Sequence, residues 1–339
     1  MMNILDNIYN ANTDRQQSKL KIWRYAGLML TYKCSAACAF CYYCCDPQKK
    51  GLMTVDTAMA AWEGLIRLAG PDARVHLTGG EPFLVFERLV EITQQAQKAG
   101  LSGLEYIETN GSWANQTSDI REKLSFLAAH GMEKLKISCD PFHQEFIDIQ
   151  KVIHLKTIAE EVLGPDRVMV RWQRYLQNPV NFQAIGDSQK QEIYRQALQD
   201  DPCRLTGRAA FCLADLLPQY PLTDYRQNPC SQAILGAKGV HIDPHGNVFS
   251  GQCSGLVIEN LTKHPLDVIW RDFNPLQCPP WKELLTEGPA GLLDEACSHG
   301  YSPRPGYASK CHLCTDLRRF FFDKTCFWPI ISPQECYHI

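Results

Sequence analysis

Between residues 26 and 173 short apolar runs alternate with helical stretches, and nearly every run ends in an unusual polar turn. Ala26 to Thr31 (AGLMLT) reads as a first strand. Thr54 and Asp56 cap a helical stretch from about Thr57 to Leu68, with Ala58, Ala61, Leu65 and Leu68 at helical spacing. Strand Arg74 to Leu77, a helix from about Val85 to Ala99, strand Leu104 to Glu108, helix Ser118 to His130 and strand Lys134 to Ser138 follow. A helix over about His143 to Val162 and a strand over Arg167 to Gln173 close the series. Strands alternating with helices at this spacing predict a parallel sheet, either open and doubly wound or a complete or partial barrel. Both forms gather ligands at the carboxyl ends of their strands. Four polar segments fall there: residues 34–41, Thr78-Gly79-Gly80-Glu81-Pro82, Thr109-Asn110-Gly111 and Cys139-Asp140-Pro141. They predict a single site at one rim.

The first segment holds Cys34, Cys38 and Cys41 in a CxxxCxxC spacing. Three thiolates this close can ligate three corners of a cubane iron-sulfur cluster and leave one iron open to a small molecule. A structural zinc is the alternative, but it wants four ligands and no His stands nearby. Cys44 and Cys45 follow at once, as spare thiols or as replacements for a presumed ligand. Sixteen cysteines in a chain whose first twenty residues lack the apolar core of a signal peptide predict a cytoplasmic metalloprotein rather than a disulfide framework. Five cysteines precede residue 50 and ten follow residue 200, which predicts two separate sites. A net charge of −3 offers no basic field for nucleic acid or an anionic membrane, and no run is long enough to span a bilayer. At 339 residues the chain fits one large domain and a smaller attachment.

Past Asn178 the pattern weakens to one helical stretch (Ser188 to Leu198) among prolines. Gly239 to Asp243 and Asn247 to Phe249, around Pro244-His245-Gly246, read as a β-hairpin. The last forty residues show little regular period.

The triad, Phe40 just before its third cysteine, and Gly79-Gly80-Glu81-Pro82 at the end of the second strand resemble the radical SAM superfamily. The resemblance implies an α/β fold, a partial (β/α)6 TIM-type barrel, with a 4Fe-4S cluster on Cys34, Cys38 and Cys41. S-adenosylmethionine would chelate the open iron, and the carbonyls of Gly79 and Gly80 would accept from its ammonium, with Glu81 adding charge complementarity. In the family, residues at the ends of the fourth and fifth strands contact the ribose and carboxylate, places taken here by Thr109, Asn110, Ser138 and Asp140. Along Lys134 to Asp140 a period of two puts Lys136, Ser138 and Asp140 on one side, toward the barrel interior. The same alternation groups Arg171 with Gln173, and Arg171 could clamp a carboxylate of cofactor or substrate. His143 and Glu145 stand close enough to the inferred rim for a substrate or proton-transfer role. The reaction implied is reductive cleavage of S-adenosylmethionine to methionine and a 5'-deoxyadenosyl radical, which takes a hydrogen atom from the substrate. A flavodoxin or ferredoxin would supply the electron.

Cys230, the hairpin, Cys253 and the pair Cys311 and Cys314 resemble the SPASM or twitch domains that follow many such barrels, small Cys-rich α+β units. That implies one auxiliary 4Fe-4S cluster on these four cysteines; zinc on the same set is the alternative. Cys278, Cys297, Cys326 and Cys336 are possible substitutes. The expected division is a lead over 1–21, the barrel over 22–225 and the auxiliary domain over 226–339. Enzymes so arranged often modify peptide or protein side chains; a small-molecule metabolite and an iron-sulfur electron carrier without its own substrate are the rival expectations.

Overall fold

The computed structural model describes residues 2–251, 253–324 and 328–338; Cys326 lies outside them. Five strands run parallel: β1 (Tyr25–Met29), β2 (Arg74–Thr78), β3 (Leu104–Thr109), β4 (Lys134–Ser138) and β5 (Val168–Arg171). Between them lie helices α1 (Val55–Ala69), α2 (Phe86–Lys98), α3 (Thr117–Ala129) and α4 (Ile149–Leu163). The sheet continues beyond β1 into β6 (Gly239–Ile242), β7 (Asn247–Ser250) and β8 (Val257–Asn260). Its order is β5-β4-β3-β2-β1-β6-β7-β8. This is the expected mixed α/β class, built on a mostly parallel sheet. The hairpin reading holds for β6 and β7, yet β6 also docks parallel on β1, pairing Gly27 with His241. A sixth parallel strand therefore comes from the C-terminal part of the chain.

Alternation decides which side chains meet the core. Ala26, Leu28, Val75, Leu77, Ile107, Leu135 and Ile137 are buried in the hydrophobic core, and their neighbours one step along face the other side of the sheet. Helix α1 starts as read, with the Thr54 side chain accepting from Thr57 N, and it buries Ala58, Ala61, Leu65 and Leu68. Burying a leucine side chain such as Leu65 or Leu68 stabilises a fold by about 1.5–3 kcal/mol.

Four local expectations change. The single helix over 143–162 is two: a short turn at Pro141–Gln144, capped by Asp140, and α4, capped separately by Asp148, whose side chain accepts from Gln150 N. The fifth strand stops at Arg171 because Trp172 adopts φ 59°, a left-handed turn that ends pairing. Thr109 and Asn110 end the third strand and Ser138 and Asp140 the fourth, one earlier than the resemblance implied. The C-terminal segment is also more regular than its composition predicts. The stretch read as Ser188 to Leu198 forms α5 (Asp187–Asp200), and α6 (Lys310–Asp323) is started by the Ser309 side chain accepting from His312 N. Among the described residues no helix is long and apolar enough to cross a membrane.

Candidate functional site

A cavity of about 250 Å³ lies on the polar side of the parallel strands and is lined by all three triad cysteines. The loop that carries them is held by its backbone: Cys34 N donates to Asp46 O (2.9 Å) and Cys41 N to Cys38 O (3.1 Å). Arg208, only 5% exposed, reaches this loop from the supposed connecting region. Its guanidinium donates to the carbonyls of Cys38 (3.1 Å), Cys45 (3.0 Å) and Cys44 (2.8 Å), and its own N–H donates to Cys41 O (3.0 Å). A planar fork suits several carbonyls at once. A lysine at 208 would not reproduce it.

The Gly-Gly-Glu-Pro turn packs against the loop that carries the cysteines. A Cβ on Gly80 would lie 2.0 Å from Lys33 O, and one on Gly79 would lie 2.7 Å from Thr31 O. The glycines let this turn pack directly against the backbone leading into Cys34. Gly79, Gly80 and Pro82 line the cavity, whereas Glu81 is fully buried. Its carboxylate accepts from Phe83 N (3.1 Å), Thr109 Oγ1 (2.8 Å) and Asn110 N (2.7 Å), tying the end of β2 to the end of β3. Burial pushes this carboxyl up to about 7 against those three donors. Asn110 turns its side-chain amide to Cys34 Sγ at 3.5 Å.

At the end of β4, Asp140 is buried and accepts from His143 N (3.0 Å), while its other oxygen meets His143 Nδ1 at 2.6 Å. The imidazole also interacts with the Cys38 thiol, which it holds lower than burial alone would. Burial opposes a charge on His143, but Asp140 and Cys38 hold it well above the usual histidine range. Phe40 packs on Phe142 and edge-on to His143, closing the wall beside the thiols. Ser138, Thr109 and Arg171 also line the cavity. Arg171 lies 4.3 Å over the Trp172 ring, and no carboxylate pairs with it among the described residues. Glu145 is not brought to the cavity: it binds Lys190 and Tyr194 on α5.

Several cavity residues escaped the sequence reading. His76 on β2, Tyr106 and Glu108 on β3 and His241 on β6 line its floor beside Lys136, which the alternation of β4 had pointed inward. Gly27 makes room for them, since a Cβ there would sit 2.5 Å from His76 Nε2 and 2.6 Å from His241 Nε2. Lys136 Nζ lies 2.8 Å from Glu108 Oε1, and Thr78 donates to Oε2 at 2.5 Å. Despite burial, Lys136 and His76 hold the Glu108 carboxyl down to about 2. Burial pushes His76 down to about 3, so its ring is neutral at physiological pH. The period-of-two rule already applied to β4 was the signal for the residues of β2 and β3.

Cys230, Cys253, Cys311 and Cys314 line a second cavity of about 180 Å³. The start of α6 puts Cys311 and Cys314 on one helical face. Cys278, Cys297 and Cys336 do not line it. The two cysteine loops touch, because Ser254 Oγ donates to Tyr42 O at 2.5 Å.

Among the described residues no three His, Cys, Asp or Glu side chains converge on one ion position. A cubane does not need that, since each thiolate binds its own iron. The first set fits: three thiols share one wall, and the hydrogen bond from Cys45 draws the Cys41 thiol down to about 6. Burial pushes Cys34 and Cys38 up, a cost that a bound metal cation removes by deprotonating them. The second set fits through an orphaned buried donor, Arg318 Nε, beside its cysteines.

No family model matches the sequence, and no curated protein matches it. Among solved structures the chain is similar to BtrN in complex with AdoMet and 2-DOIA, at 14% identity and a TM-score of 0.47, covering 87% of this chain and 93% of that one. It is also similar to native anSMEcpe with bound AdoMet and Cp18Cys peptide, at 12% identity and a TM-score of 0.44, covering 88% of this chain and 97% of that one.

Proposed function

We propose that this chain is a radical S-adenosylmethionine enzyme. The observation that carries the reading is that Cys34, Cys38 and Cys41 share one cavity wall with a Gly79-Gly80 turn packed against the backbone of Lys33 and Cys34. A 4Fe-4S cluster on the three thiolates would supply an open iron and one electron, with which bound S-adenosylmethionine is cleaved to methionine and a 5'-deoxyadenosyl radical. The chain's own residues do the rest. Arg171 offers an unpaired cation to a carboxylate. Thr109, Asn110 and Ser138 supply short polar contacts at the strand ends. Phe40, Phe142 and Trp172 keep the wall apolar and help exclude water.

The segment 226–339 serves in this reading as an auxiliary-cluster unit of the SPASM or twitch kind, with a second cluster on Cys230, Cys253, Cys311 and Cys314. A flavodoxin or ferredoxin supplies the electron. The substrate is a side chain of a peptide or protein, the first of the two expectations. One observation favours the second, a small-molecule metabolite. The cavity floor of His76, His241, Glu108 and Lys136 is rich in hydrogen-bonding groups and suits a compact polar molecule.

Electron paramagnetic resonance of the anaerobically reconstituted, dithionite-reduced protein tests the reading. Adding S-adenosylmethionine should shift the signal of the cluster held by the triad and leave the signal of a triad-free variant unmoved. An unchanged signal in the wild-type chain would rule out coordination at an open iron.

A further inference from the structure

Arg318 on α6 is 2% exposed, and no carboxylate pairs with it among the described residues. Three of its N–H groups are accounted for: Nη1 donates to Ser254 O (2.5 Å) and Tyr337 Oη (3.2 Å), and Nη2 to Thr315 Oγ1 (3.2 Å). A guanidinium carries five such hydrogens. Among the described residues Nε has no hydrogen-bond partner, and the guanidinium lies within reach of the Cys314 thiol. An unpaired cation taken out of water with an idle donor is expensive, so a residue like this marks a place where an anion belongs. Arg318 lines the same cavity as Cys230, Cys253, Cys311 and Cys314, and its charge is felt by Cys314 and Cys253. Arg204 and Lys310 line that cavity too. Lys310 Nζ is held there by Asn228 Oδ1 (3.0 Å) and Pro229 O (2.9 Å) rather than by a carboxylate. Among the described residues no acidic side chain lines it. Three cations around one cavity have no carboxylate there to answer them, whereas a metal cluster ligated by four thiolates carries net negative charge.

We propose that Arg318 is the counter-charge and hydrogen-bond donor of an iron-sulfur cluster on these four cysteines, and that it favours the reduced state of that cluster. The inference rests on the auxiliary-cluster reading above. Reduction adds one electron to the cluster and makes or breaks no bond, so a fixed cation beside it stabilises the product of the step more than the starting state. Hydrogen bonds to cluster sulfur act in the same direction. Arg318 is thus a positioning residue, not a ligand. It also ties the Cys253 loop to α6, because the Ser254 carbonyl is its acceptor.

The test uses full-length protein in which Cys34, Cys38 and Cys41 are replaced by Ala, so that only the auxiliary site can load. After anaerobic reconstitution, iron is counted and the reduction potential is read by titration with resonance detection. Arg318→Gln should make the reduction equilibrium about tenfold less favourable, a shift of about 59 mV to more negative potential for one electron. Arg318→Lys, which keeps the charge and loses the fork, should shift it less. An unchanged potential in Arg318→Gln at full iron content overturns the proposal. If Arg318→Gln does not hold iron, Arg318→Lys and Lys310→Gln become the readout: a shift to more negative potential in both supports the proposal, and no shift in either overturns it. A parent that binds zinc or no iron overturns the auxiliary-cluster reading and this inference with it. That failure shows in the metal count before any potential is measured.

Discussion

Glu81→Ala tests whether the glycine turn is braced by a buried carboxylate or merely contains one. At pH 8 the wild-type carboxylate accepts three hydrogen bonds, from Phe83 N, Thr109 Oγ1 and Asn110 N, and no water reaches it. Truncation leaves three buried donors without an acceptor, each worth about 1–3 kcal/mol. Some of that is recovered because a charge is no longer buried and because a polar cavity of this kind can take up water. The net loss should be about 3–5 kcal/mol by these same magnitudes. Glu81→Gln keeps the shape and one oxygen. That oxygen can still serve Phe83 and Thr109, which both use Oε1, but the amide then opposes Asn110 N. Its cost should be about 1–3 kcal/mol, the penalty of one unsatisfied pair. Urea unfolding of the metal-free protein, followed by circular dichroism, measures both. Glu81→Ala within about 1 kcal/mol of wild type, or Glu81→Gln as costly as Glu81→Ala, would refute the brace.

Arg208→Ala should cost about 2–4 kcal/mol through three lost hydrogen bonds to cysteine-loop carbonyls. It should also speed iron loss to a chelator, and Arg208→Lys should not restore retention. Cys38→Ala should lower the iron content of reconstituted protein from about eight to about four per chain, one cubane being lost. Lys136→Met tests the Glu108 pair by its pH dependence. The folded carboxyl sits at about 2, below its ordinary value of 4.5, so its contribution is complete above 4.5 and lost as pH falls toward 2. The variant should be less stable than wild type by about 1–2 kcal/mol at pH 6, discounted for partial solvent exposure. The gap should close near pH 2, and a gap that does not change with pH contradicts the pairing.

The five strands and the polar turns at their ends were legible because period, apolar runs and turn chemistry are local. The break after Gln144 was not, since Asp148 caps a new helix inside a stretch whose apolar spacing reads as continuous. Helix α6 hid behind its cysteines and aromatics, although Leu313, Leu317 and Phe321 recur every fourth residue. Arg208 and His241 were out of reach for a different reason. Their roles depend on long-range docking, of a distant segment on the cysteine loop and of β6 on β1. Glu81 was legible as part of its motif, but its burial against the end of β3 was not. Only the packing distances of its neighbours show that the glycines serve the backbone and the carboxylate serves β3.

Anaerobic incubation of the reconstituted, reduced protein with S-adenosylmethionine tests the central claim most directly, with 5'-deoxyadenosine and methionine measured by mass spectrometry. The account predicts both products from the wild-type chain and neither from the Cys34, Cys38 and Cys41 variants. No 5'-deoxyadenosine from protein whose triad cluster is intact and reduced would contradict it.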